Sequence, residues 1–110
     1  MVFVSVDDFL SETKKVKRLT RSEEKELGQR KNDGDTTARQ ALIYAYYPHV
    51  AAAIRRSPSE IKTLNTLYRC LDTLEKAVDC FNFLQDGETF SHALSFRLRQ
   101  CITRCIADRY

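Results

Sequence analysis

The stretch "FSHALSFRLRQCITRCIADRY", Phe90 to Tyr110, gathers the side chains best suited to binding chemistry. It reads as one amphipathic helix with arginines along a single side and an Arg-Gln pair, Arg99 and Gln100. Arg97 and Arg104 stand at i−3 and i+4 from Gln100, so the three are neighbours on a helix surface. Guanidinium groups in such a stripe can track phosphates, and an amide among them can meet a groove edge. A solvated basic face would carry the same pattern, so the rest of the sequence must decide.

Other chemistries find little support. Cys70, Cys80, Cys101 and Cys105 form no CxxC pair, and each falls on an apolar helical position, as expected of small buried thiols in a reducing cytoplasm. Cys101 and Cys105, at i and i+4, share a helix side, but a four-cysteine zinc site is the weaker reading. His49 follows Pro48 in an aromatic stretch and His92 sits at the start of the last helix, neither with a nucleophile at a diagnostic spacing. There is no glycine-rich phosphate loop and no HExxH. The expectation is a non-enzymatic protein with no cofactor and no metal ion.

The elements that must hold the arginine stripe are legible from composition and punctuation. A chain of 110 residues with 43% hydrophobic and 30% charged residues is one globular domain with a modest core. Its net charge of +3 is a weak argument for a nucleic-acid partner. The distribution says more: residues 57–88 hold three basic and six acidic side chains, whereas residues 89–110 hold four basic and one acidic. No window is apolar enough to span a membrane, and "MVFVSVDDFL" puts acids directly after a very short apolar run, unlike a signal peptide. A cytoplasmic protein is expected.

Thr20 and Glu23 form a capping box, and Gly34 in "NDG" stops the helix that follows it. Asp35 caps the next helix, with apolar positions Ala38, Ala41, Leu42 and Ala45, and Pro48 should kink or split that run near Tyr47. "SPSE" suggests a second capping box, with Ser57 as N-cap and Glu60 closing it. From there Ile61, Leu64, Leu67, Leu71, Leu74, Val78 and Phe81 mark one long helix with an apolar stripe. "LQDGET" is a turn, and Thr89 or Ser91 caps the final helix. Ahead of these, "VFVSV" reads as an extended tail, "VDDFLSET" as a short helix and "KKVKR" as a basic connector. The predicted fold is all-α, a compact bundle of four to five helices.

Three stretches carry a family resemblance together. "LTRSEEKELGQRKNDGDTTARQALI" resembles the segment entering the core domain of bacterial RNA polymerase sigma factors. "LNTLYRCLDTLEKAVDCFNF" is similar to that family's polymerase-binding helix in its hydrophobic frame and in Leu74, Ala77, Val78 and Phe81. "TFSHALSFRLRQCITRCIAD" resembles its promoter-binding helix, where Phe-Ser opens the helix and Arg-Gln-x-Ile-x-Arg-x-Ile-Ala-Asp follows. "YYPHV" looks more like the extracytoplasmic-function branch. The resemblance is collinear from Val6 to Asp108 and implies the core (region 2) fold. It divides the single domain into an N-terminal segment over 1–19, lead-in helices over 20–56, a polymerase-binding-like helix over 57–84 and a promoter-binding-like helix over 89–110.

What the resemblance implies is carried over residue by residue. Gln100 and Thr103 occupy the places with which the family addresses the upstream edge of the −10 element, and Arg97, Arg99 and Arg104 extend that surface. Phe81 keeps one aromatic of the pocket for a flipped adenine, and Phe96 keeps an aromatic ring where the family has the first of two tryptophans that wedge the duplex open. Ala93 stands where the family has a stacking tyrosine, His92 where it has threonine, and Arg97 where it has the second wedge. Strand opening by the family's usual route is therefore not expected, while duplex contact is.

On the polymerase-binding helix, Asn65, Tyr68 and Arg69 occupy the face that meets arginines of the polymerase clamp. Arg69 replaces an acid there, so either the partner surface differs or the contact shifts to Asp72, Glu75 and Asp79. The implied partners are the clamp region of RNA polymerase core and promoter −10 DNA. A sigma mimic that meets an anti-sigma-type regulator is the alternative. Since the resemblance ends at Asp108, a second chain supplying a −35-reading domain is a further expectation.

Overall fold

All but one of the α-helices start where a side chain satisfies a free backbone amide; the exception starts at a proline. The computed structural model describes residues 3–109. The Ser5 hydroxyl accepts from the Asp8 amide and opens α1 (Val6–Thr13). Thr20 and Glu23 form the expected capping box at the start of α2 (Arg21–Asn32), which ends before Gly34 at φ 91°. Asp35 accepts from the amides of Thr37 and Ala38 and opens α3 (Thr36–Ala45). Pro48 then splits the run: α3 stops at Ala45, Tyr46 breaks the helical geometry, and α4 (Tyr47–Arg55) starts afresh. Counting that interrupted pair as one, the described residues hold five α-helical segments, one short 3-10 helix and no strand.

The long helix begins later than the sequence suggests. The Ser57 hydroxyl donates 2.6 Å to the carbonyl of Ile54, finishing α4 instead of opening a new helix. Pro58 is extended, and Ser59–Ile61 form a single 3-10 turn. Thr63 is the actual N-cap of α5 (Leu64–Cys80), accepting from the Thr66 amide. Thr89 accepts from the His92 amide at the start of α6 (Phe90–Arg109).

The core lies where α5 meets α6 and both rest on α4. Leu67, Leu74, Val78, Phe90 and Leu94 are fully buried there, with Leu42, Val50 and Ile54 from α3 and α4 closing it. The opening residues are no free tail: Phe3 is buried, stacked edge-on to Phe9, and the Tyr68 hydroxyl both accepts from its amide and donates to its carbonyl. Val2, the first residue of that expected tail, lies outside the described residues.

The start of α6 is fixed from α2. Gly28 lies against Phe83 so closely that a Cβ there would sit 2.5 Å from the Phe83 Cβ. Phe83 packs on Phe81 and Phe90, while Lys25 pairs with Asp86 and Arg21 donates to the Gln85 carbonyl. The loop between α5 and α6 is thus pinned at both its apolar and its polar residues.

Candidate nucleic-acid interface

α6 turns Phe90, Leu94, Leu98 and Cys105 inward and leaves Phe96, Arg97, Arg99, Gln100, Thr103 and Arg104 exposed. At about 100° per residue, Gln100 stands near the middle of that crest. Arg97 and Arg104 flank it on the α5 side, where with Gln100, Arg69, Asp72 and Lys76 they border a cleft of about 320 Å³. Arg99 and Thr103 flank it on the α4 side and border a second cleft with His49, Arg56 and Ser57. Thr103 spends its hydroxyl proton on the Arg99 carbonyl at 2.9 Å, which leaves its oxygen free to accept. Gln100 and Thr103 therefore share the crest but lean toward different clefts.

Phe81 and Phe96 come together. With Phe90, Ala93, Arg97 and Gln100 they line a groove of about 620 Å³ between the end of α5 and the first turns of α6. Phe96 is 58% exposed at its rim, and Ala93 contributes no ring to its wall. His92 and Glu88 also border the groove and lie 3.2 Å from each other. The groove has aromatic surface on the floor and rim, a small residue where a stacking ring would close it, and a guanidinium at its far end.

The six α5 residues expected to meet a protein partner also share one side, spread over roughly 120° of helix surface. Their condition differs. Asp79 is gripped by Arg39 of α3 at 2.6 and 3.0 Å, and Glu75 lies 3.9 Å from the same guanidinium. That bond holds the Asp79 carboxyl below the usual carboxylate range and raises the pKa of Arg39. Asp72 pairs with Lys76 at 2.9 Å, and Arg69 reaches across to Asp108 of α6 at 2.9 Å, which raises its pKa further. Tyr68, 39% exposed, holds Phe3. Asn65 is exposed at the helix start.

Two placements differ from the sequence expectation. Arg69 faces α6 and borders the arginine cleft, so it and Lys76, each already ion-paired, stand beside Arg97 and Arg104. Its spacing of seven from Lys76 was the available signal. Cys80 is exposed, because it sits about 120° around α5 from the buried Leu74. Cys70 and Cys105 are buried as expected, and Cys101 is half-buried. Arg97, Arg99 and Arg104 have no ion-pair partner among the described residues.

No protein-family model matches the chain. It is similar to RNA polymerase sigma factor SigA of Clostridium acetobutylicum, with 34% identity over 111 residues that take in 96% of this chain and 29% of that protein. The chain is a sigma-factor-like domain. It spans less than a third of that relative's length. In this sigma-factor-like domain α6 presents unpaired guanidinium groups around an amide, and α5 presents carboxylates already held by neighbouring cations. No helix among the described residues is long and apolar enough to cross a membrane.

Proposed function

We propose that this domain acts in transcription initiation, docking on RNA polymerase core through α5 and laying the crest of α6 on promoter −10 DNA. The observation that carries the reading is the set of three unpaired arginines around Gln100, in a chain similar along nearly its whole length to a sigma factor. Arg97 and Arg104 meet phosphates on one side of the crest and Arg99 on the other. Gln100 and Thr103 meet base edges or sugar between them. Phe96 lies against the duplex beside the Phe81 groove. Ala93 and Arg97 support contact with paired DNA rather than capture of an unstacked base. No reaction is catalysed in this scheme.

On α5, Asp72 and Asn65 form the exposed centre of the polymerase-facing side, with Tyr68 and Arg69 beside them. Glu75 and Asp79 take part only if the clamp draws them from Arg39. That commitment to Arg39, with a guanidinium at Arg69, supports a second reading in which α5 meets an anti-sigma-type regulator instead.

The test is binding of the purified chain to core polymerase at low salt, and separately to −10-containing duplex by fluorescence anisotropy. The expected result is polymerase capture, and DNA affinity that falls with salt. Gln100→Ala with Arg104→Ala should weaken DNA binding about tenfold and lower the salt slope by about one, the share of one phosphate contact. Failure to bind core polymerase, with capture by a regulator, would establish the second reading. No DNA binding at any salt would leave the arginines as a solvated face.

A further inference from the structure

Between α5 and α6 lies a thiol cluster that the proposed function does not use. The Cys70 sulfur is fully buried, and the Cys101 sulfur lies 3.9 Å from it, on the cleft side. Cys105 follows one turn beyond Cys101 on α6 and is buried. The cleft onto which Cys101 opens is bordered by Arg97 and Arg104, which have no ion-pair partner among the described residues, and by Arg69 and Lys76, which are paired with Asp108 and Asp72. An anionic sulfur is thus favoured at Cys101 and disfavoured behind it.

We propose that Cys101 is a hydroperoxide-reactive thiol, and that Cys70 resolves its oxidised form into a disulfide linking α5 to α6. The Cys101 thiolate attacks one oxygen of the hydroperoxide, the O–O bond breaks, and the departing alkoxide or hydroxide takes a proton from water. Cys101 then carries a sulfenic acid. The Cys70 sulfur attacks the Cys101 sulfur, the S–O bond breaks, and the leaving hydroxide takes up the Cys70 proton. The two thiols lose two electrons in all, and the hydroperoxide is reduced to an alcohol and water.

The electrostatics agree with the geometry. The hydrogen bond from Cys70 pushes the Cys101 thiol down to about 6, against the opposing effect of burial, with help from Thr73, Cys105 and the Arg69 charge. Cys70 is pushed up, first by that same bond and then by burial. Cys70 thus keeps its proton until Cys101 has been oxidised.

The experiment compares the folded chain with the same chain unfolded in urea, using iodoacetamide and peptide mapping. At pH 6 a larger share of folded Cys101 should be ionised than of an ordinary thiol, because its ionisation is shifted downward. The weaker nucleophilicity of a less basic sulfur takes back part of that advantage. Folded Cys101 should therefore react up to about tenfold faster than unfolded Cys101 at pH 6, and the ratio should fall as pH rises to 8. Hydrogen peroxide should give one intrachain Cys70–Cys101 disulfide while Cys80 stays free. In Cys70→Ser, dimedone should trap the sulfenic acid on Cys101. Slower alkylation of Cys101 in the folded chain at pH 6 would overturn the proposal, as would peroxide oxidation that reaches Cys80 before Cys101. Neither readout depends on DNA or polymerase, so the chemistry is separable from the proposed function.

Discussion

α5 and α6 each show solvent a row of charges, and the rows are in opposite states. On α5, Asp72, Glu75 and Asp79 already have cationic neighbours from this same chain. On α6, Arg97, Arg99 and Arg104 have none among the described residues. The α5 row contributes to holding the fold, whereas repulsion among the α6 arginines is relieved only by salt or by an anionic partner. Charge sign alone would have ranked both rows as interfaces; the pairing separates them.

Three changes break or sharpen that contrast. Gly28→Ala should have the largest effect, costing about 1–3 kcal/mol, since the added methyl must displace Phe83 from the packing that seats the start of α6. Thermal unfolding would register it. DNA affinity should drop with it while the Arg39 grip on α5 stays in place. A Gly28→Ala chain of unchanged stability would mean that the α5–α6 loop gives way freely.

Asp79→Asn comes next. It should cost up to about 1 kcal/mol, because the bidentate grip from Arg39 is partly open to solvent. The salt slope of DNA binding should not change. In wild type this contribution is present at neutral pH and is lost as pH falls below the ordinary carboxylate range, because the folded carboxyl titrates lower than the unfolded one. A changed salt slope would show that the two rows are coupled.

The smallest effect concerns His49, which joins α4 to α6 through a 2.6 Å bond to Ser91. Burial first, and repulsion from Arg18 second, lower its pKa below 6.5. The unfolded chain therefore takes up the proton first, and stability should decline as pH falls from about 6.5 toward the lowered folded value. Melting temperatures between pH 7.5 and 5 should fall in wild type and stay flatter in His49→Gln. Equal slopes would remove His49 as the cause. The Gln100→Ala, Arg104→Ala chain should lose no stability, and at low salt the relief of repulsion should leave it as stable as wild type or slightly more so.

Much of the fold was legible because it is written in local terms. Thr20 with Glu23, Asp35, Pro48 and Thr89 each act within four residues of themselves, and each did what its chemistry dictates. Ser57 misled because a serine before proline can finish one helix as readily as start another, and Ile54 settled which. The site was half legible. The α6 crest follows from helical spacing, so its exposed members were identifiable. The Arg39–Asp79 grip, the Gly28–Phe83 contact and the Cys70–Cys101 pair join positions 31 to 55 residues apart, and nothing local announces them. Only the packing of helices reveals which charges are already spoken for.

Tyr46, the single residue between α3 and α4, offers a spectroscopic handle. The chain has five tyrosines and no tryptophan, so its near-ultraviolet signal is tyrosine signal. The Tyr46 ring is buried edge-on to Phe90 of α6, and its hydroxyl donates to Glu24 of α2; burial first, and that bond second, drive its ionisation far upward. One chromophore thereby senses three helices at once. An alkaline absorbance titration that leaves one phenol un-ionised until the chain unfolds would report the docking of α2 and α6 directly, with no label attached.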